Sequence, residues 1–194
     1  MTVQLTDGKS LDGWTNFKSP GVKPGWQVKD GTLACIDPHN AGDIVTADKF
    51  DWFELQIDYN ISEGGNSGIF FRLIPGTEKA PSNGYEFQIN NALIDGNRAK
   101  PKDAGTGAIF RRSTARWVVA NDREWFTATL VAYGPRFCGW VNGLQVTDFE
   151  DTRPADANPR KGQRLEAGPF SLQGHDPTTN LSFRNMRIVS LDSK

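Results

Sequence analysis

The residues best placed to do chemistry fall in three short stretches. In Gly84-Tyr85-Glu86-Phe87-Gln88-Ile89, a period of two that turns Phe87 and Ile89 into a core turns Glu86 and Gln88 out of the opposite face together. In Gly168-Pro169-Phe170-Ser171-Leu172-Gln173-Gly174-His175, the same parity buries Phe170 and Leu172 and leaves Ser171, Gln173 and His175 on the other side. Ile69, Phe71 and Leu73 likewise leave Arg72 on the far side. A carboxylate, two amides, a guanidinium and an imidazole on one sheet face would suit sugar hydroxyls. The same pattern also describes an ordinary solvated sheet face.

Further candidates stand outside these strands. Gly64-Gly65-Asn66-Ser67-Gly68 is a link in which backbone can approach a ligand closely, or simply a turn. Trp117 lies outside the clearest strands and is read as an exposed platform for a pyranose ring, or as core or rim packing. Arg111, Arg112, Arg116 and Arg123 read as a solvated rim that could steer an anion. No phosphate loop, dinucleotide fingerprint, Gly-x-Ser-x-Gly elbow or His-Glu-x-x-His motif is present. His39 and His175 are the only histidines, which excludes a His-rich zinc site. Cys35 and Cys138 are the only cysteines and are read as reduced thiols.

The elements that must position these groups are strands. Phe53, Leu55, Ile57, Tyr59 and Ile61 alternate with Glu54, Gln56, Asp58 and Asn60. Residues 125–132 read as another strand. Asp30-Gly31 and Asn142-Gly143 each sit between apolar runs and predict tight hairpins. Gly134-Pro135 predicts a further turn. More strands are expected over 44–50, 68–74, 85–91, 107–112, 168–175 and 180–191, with a bulge near Asn185. Trp14, Trp26, Trp125 and Trp140 are read as core. No stretch of a dozen residues keeps a helical period, so helix is limited to single turns. Residues 91–106 and 150–167 are surface excursions of a length that often carries function. About a dozen short strands imply an all-β, two-sheet sandwich or jelly roll, with one domain over residues 1–194.

Composition agrees and narrows the partners. The 194 residues carry 22 Lys plus Arg against 23 Asp plus Glu, a net charge of −1 that argues against nucleic acid as the main partner. No run of about 18 apolar residues could span a bilayer as a helix. The opening Met1-Thr2-Val3-Gln4-Leu5 lacks the basic-then-apolar pattern of a signal peptide.

Taken in order, the motifs resemble the 3-keto-disaccharide hydrolase domain family, a concanavalin- or laminin-G-like jelly roll. The likeness runs through Leu11-Asp12-Gly13-Trp14, Trp26–Leu33, Phe53-Glu54-Leu55, Gly65–Arg72, Gly84–Ile89, Thr106–Phe110, Glu124-Trp125, Trp140-Val141-Asn142-Gly143 and Phe183–Ile188. Three departures stand out. Asn91 occupies the place of an acid, usually Asp; Asp176 follows His175 where Gly is usual; Phe126 follows Trp125 where Asn is usual.

The resemblance implies action on glycosides already oxidised at C3, in a periplasmic or secreted setting, with no cofactor. A C3 ketone acidifies the C2 proton, so the aglycone can leave C1 by elimination and water can add back. That chemistry needs a base, a proton donor and a group to stabilise the enolate oxygen; paired glycosidase carboxylates are not required. On this reading Glu86 is the base, His175 the donor, or the reverse, and Arg72 holds the enolate or a hydroxyl. Asn66, Gln88, Gln173, Asn91 and Trp117 contact the sugar. A divalent ion held by Glu86, His175 or Asp176 could replace Arg72. The competing reading is a non-catalytic carbohydrate-binding module of the same fold, favoured by the change at Asn91 and opposed by the retention of Glu86 and His175. A structural or adhesion domain without a sugar site is the third.

Overall fold

The computed structural model describes residues 2–16, 21–74, 83–174 and 176–191. Strands follow the alternation. They are β1 (Thr2–Gln4), β2 (Trp14–Asn16), β3 (Trp26–Lys29), β4 (Thr32–Cys35), β5 (Ile44–Thr46), β6 (Phe53–Ile61), β7 (Ser67–Phe71) and β8 (Tyr85–Ile89). Then come β9 (Leu93–Ile94), β10 (Asn97–Pro101), β11 (Phe126–Tyr133), β12 (Arg136–Val141), β13 (Leu144–Glu150), β14 (Ser171–Leu172) and β15 (Leu181–Ser190). The helix among the described residues is one 3₁₀ turn, Pro38–Asn40. No helix among them is long and apolar enough to cross a membrane.

Two antiparallel sheets form a jelly-roll sandwich. The larger runs β13-β12-β11-β6-β15-β4-β3, with β1 also on β15; the smaller runs β2-β5-β14-β7-β8. In β6 every second residue, Phe53 to Ile61, is buried and the intervening ones are half-buried. Aromatic edges lock the layers: Phe53 meets Phe170 at 4.7 Å, and Phe71 meets Phe137 at 5.2 Å. Burial of each such side chain contributes about 2–3 kcal/mol.

The expected hairpins form for the expected reason. Asp30 and Gly31 (φ 51 and 75) and Asn142 and Gly143 (φ 47 and 81) take the paired left-handed turn whose twist matches the strands. The bulge also occurs. The β15–β6 register shifts between Arg184 and Arg187, with Asn185 at φ 53 and its amide donating to Asp58 at 2.7 Å. Cys35 is buried, Cys138 half-buried, and both are free thiols.

Three expectations are corrected. Residues 107–112 form isolated bridges from Ile109 to Phe87 and Ser113 rather than a strand, although their backbone still pairs with the free edge of β8. Two tryptophans read as core are not: Trp140 is half-buried on the outward parity of β12, and Trp125 is exposed with its ring 4.0 Å from the Arg184 guanidinium. Arg72 does not lie on the outward face. β7 ends at Phe71, Arg72 turns to φ 50, and the parity of the strand stops with it.

Candidate functional site

The outward face of the smaller sheet carries the cluster. Glu86 pairs with Phe70 and Gln88 with Gly68 across β7–β8. The Gln173 N–H donates to the Gly68 carbonyl at 3.0 Å, which puts Gly68 between Gln173 and Gln88. Gly68 is needed there, because a Cβ would lie 2.6 Å from Glu86 Oε1. On its other side Glu86 accepts a backbone bond from Phe110 at 2.9 Å. Every residue of β7 and β8 is buried, so this face is a covered floor rather than an open solvated surface.

Glu86 is 7% exposed. Among the described residues no hydrogen bond or ion pair reaches its carboxylate. Burial pushes its pKa up to about 7; Arg160 and Arg111 oppose the rise, and Asp103 and Asp43 add to it. The four charged groups come from separate places: Asp43 before β5, Asp103 in the 91–106 excursion, Arg111 after Ile109, and Arg160 in the 150–167 excursion. Beside Glu86 lies a small cleft lined by Tyr85, Phe110, Arg111, Arg112, Pro159 and Arg160.

The arginine side is built by the long excursion. Arg153 grips Asp151 with two bonds of 2.8 and 2.7 Å and reaches the Pro159 and Gly162 carbonyls. Tyr85, next to Glu86 in β8, donates to the same Asp151 at 2.7 Å. Arg112 donates to the Arg160 carbonyl at 2.8 Å. These bonds fix Pro159 and Arg160 against β8.

Of the residues named from sequence, the structure brings Glu86, Gln88, Gln173 and Asn66 together. Gln88 and Asn66 meet at Asp103, whose Oδ2 accepts from their amides at 2.9 and 3.3 Å. Arg72 stands elsewhere. It is fully buried and donates to the carbonyls of Asp51, Gly134 and Arg164 at 2.8–3.1 Å, so it ties three segments together. Burial lowers its pKa to about 10, which leaves it charged at neutral pH. Trp117 is exposed, as expected, and is not among the residues lining the cleft. His175 lies outside the described residues. Among the described residues no group of three His, Cys, Asp or Glu side chains is arranged to hold a metal ion.

Asn91 has a scaffold role. Its Oδ1 accepts from Thr106 at 2.6 Å and its Nδ2 donates to Asp122 at 3.0 Å. Asp122 in turn accepts from the Gly64 N–H at 2.8 Å, holding the glycine-rich link. An aspartate there would have no donor for Asp122 and would set two carboxylates face to face. Asn91→Asp is therefore expected to cost about 2 kcal/mol, read as a lower melting temperature. The loss should be larger at pH 8 than at pH 4, where a protonated Asp can again donate.

The groups missed from sequence are Asp103, Asp43 and Arg160. All three lie outside the strands whose period could be read. Fold and site together define a jelly-roll β-sandwich with an acid and amides on one sheet face and two loop arginines beside the acid. A crystal structure from Parabacteroides distasonis, assigned as a glycosyl hydrolase, superposes with a TM-score of 0.78 at 25% identity, covering 98% of this chain and 94% of that one. A carbohydrate-binding module from Bacillus subtilis superposes at 0.59 with 17% identity, over 90% of this chain and 94% of that one, a likeness of fold alone. The model of the 3-keto-alpha-glucoside-1,2-lyase-like domain matches residues 2–189, and the chain belongs to that family. It is also 33% identical to a 3-keto-disaccharide hydrolase of Bacteroides thetaiotaomicron, over 98% of this chain and 78% of the relative.

Proposed function

We propose that this chain cleaves the glycosidic bond of 3-keto-glycosides, with Glu86 as the base that removes the C2 proton. The observation that carries the reading is the Glu86 carboxyl: buried, with a pKa near 7, beside two arginines. A carboxylate with that pKa is about half ionised at neutral pH and more basic than an exposed one, as a base for a C–H group should be.

The step balances as follows. Glu86 takes the C2 proton, and the C–H pair becomes an enolate whose oxygen faces Arg160 and Arg111. The pair returns, C1=C2 forms, and the C1–O bond breaks with its electrons on the aglycone oxygen. His175 is proposed to protonate that oxygen. Water adds its oxygen to C1 and gives its proton back to the donor, while Glu86, its proton having exchanged with solvent, returns one to C2. The sum is hydrolysis, and arrest before hydration would give lyase products. Arg160 and Arg111 take the role that the family resemblance suggested for Arg72. The family and the Bacteroides relative support this reading.

The mechanism is tested by turnover in D₂O. One deuterium is expected at C2 of the released keto-sugar, by mass spectrometry against an enzyme-free control. Release without label above that control would sink elimination.

A further inference from the structure

Gln88 is not free to turn. Its Nε2 donates to both the backbone oxygen of Asp103, at 3.0 Å, and Asp103 Oδ2, at 2.9 Å. A carboxamide has two N–H donors, so one residue takes both. Gln88 Oε1 is turned the other way, and it is buried with no hydrogen-bond donor among the described residues. Such an oxygen is normally satisfied by one donor, from protein, water or ligand.

Asp103 is held to this task. It has φ 51, with Ala104 at 69 and Gly105 at 80, three left-handed residues in succession. The turn is pinned by Gly105 N–H to the Lys102 carbonyl at 3.1 Å and by Ala115 N–H to the Ala104 carbonyl at 2.9 Å. The same Asp103 carboxylate accepts from Asn66.

We infer that Asp103 is a positioning residue that, by holding both amide hydrogens of Gln88, sets Gln88 Oε1 as an acceptor for one hydroxyl of the substrate. The inference rests on the proposed function only in naming that substrate a keto-sugar. A hydroxyl can donate to this oxygen, whereas a ketone only accepts. The unoxidised hydroxyl therefore goes to Gln88 and the ketone to the Arg160 and Arg111 side. A sugar oxidised at the carbon facing Gln88 would set two acceptors against each other and be rejected. Gln88 thus selects the position of oxidation, and Asp103 sets Gln88.

The test is a panel of 3-keto-disaccharides, each lacking one hydroxyl. Wild type is expected to lose about tenfold or more in kcat/KM on one of them, the size of a lost hydrogen bond to a buried acceptor. Gln88→Leu should erase that difference. Asp103→Gly, which suits the left-handed backbone, should shrink it to about threefold or less. Asp103→Asn, whose side-chain oxygen still accepts from Gln88, should keep it. If no analogue separates wild type from Gln88→Leu, or Asp103→Gly keeps the full difference, the inference is overturned. If wild type cleaves no member of the panel, the proposed function falls. Dissociation constants for the same panel then decide the inference by the same criteria.

Discussion

Glu86→Gln is expected to reduce turnover of a 3-keto-glycoside by about 10³-fold, and to make the protein more stable above neutral pH. The first effect follows from chemistry. The amide keeps the shape and the room above Gly68 but has no basic oxygen, and a positioned base contributes about 10²–10⁴-fold. The second follows from burial. The carboxyl has a pKa near 7 in the fold against about 4.5 in the unfolded chain. The folded state therefore binds the proton more tightly. Its stabilising contribution is complete below pH 4.5 and is lost as the pH rises through 7, a loss of about 3 kcal/mol by linkage. The glutamine variant has no such loss. Its melting temperature should exceed that of wild type at pH 8, and the two should converge near pH 4.5. The wild-type rate should rise with pH through an apparent pKa near 7. Equal melting temperatures at pH 8, or turnover retained in the variant, would contradict the assignment.

Arg72→Met is expected to do the opposite, lowering stability while leaving the chemistry intact. The guanidinium supplies four bonds to the carbonyls of Asp51, Gly134 and Arg164. It also stands 5.2 Å from the Phe137 ring. Methionine fills part of the volume and leaves three buried carbonyls without that donor. The cost should be about 4 kcal/mol, or roughly 10 °C in melting temperature. Below the melting transition, kcat per folded molecule should stay within about threefold of wild type, since no reacting atom is touched. A large fall in kcat with an unchanged melting temperature would return Arg72 to the active site.

What the sequence made legible, and what it did not, follows from where periodicity applies. The Phe53–Ile61 alternation, the two left-handed hairpins and the bulge at Asn185 are local rules, and each appears where expected. Glu86 and Gln88 were legible for the same reason, since both lie inside a strand with core neighbours on either side. Arg72 was misread because parity holds only while the strand continues, and β7 stops one residue earlier. Trp125 lies just before the start of β11, where strand parity is equally uninformative. Asp103 and Arg160 come from excursions whose paths are set by long-range bonds, those of Gln88 to Asp103 and of Arg112 to the Arg160 carbonyl. No spacing in the sequence encodes those. Asn91 stood out as a departure from the family, but its reason, Asp122, is 31 residues away.

The most direct measurement compares a 3-keto-disaccharide with its unoxidised parent, following loss of the glycosidic bond by mass spectrometry. Cleavage of the keto-sugar with the parent intact is the result expected of a C2 base acting beside a C3 ketone. Comparable cleavage of both would mean attack at C1 as in an ordinary glycosidase. Cleavage of neither, with binding of both, would make the chain a sugar-binding module and contradict the account.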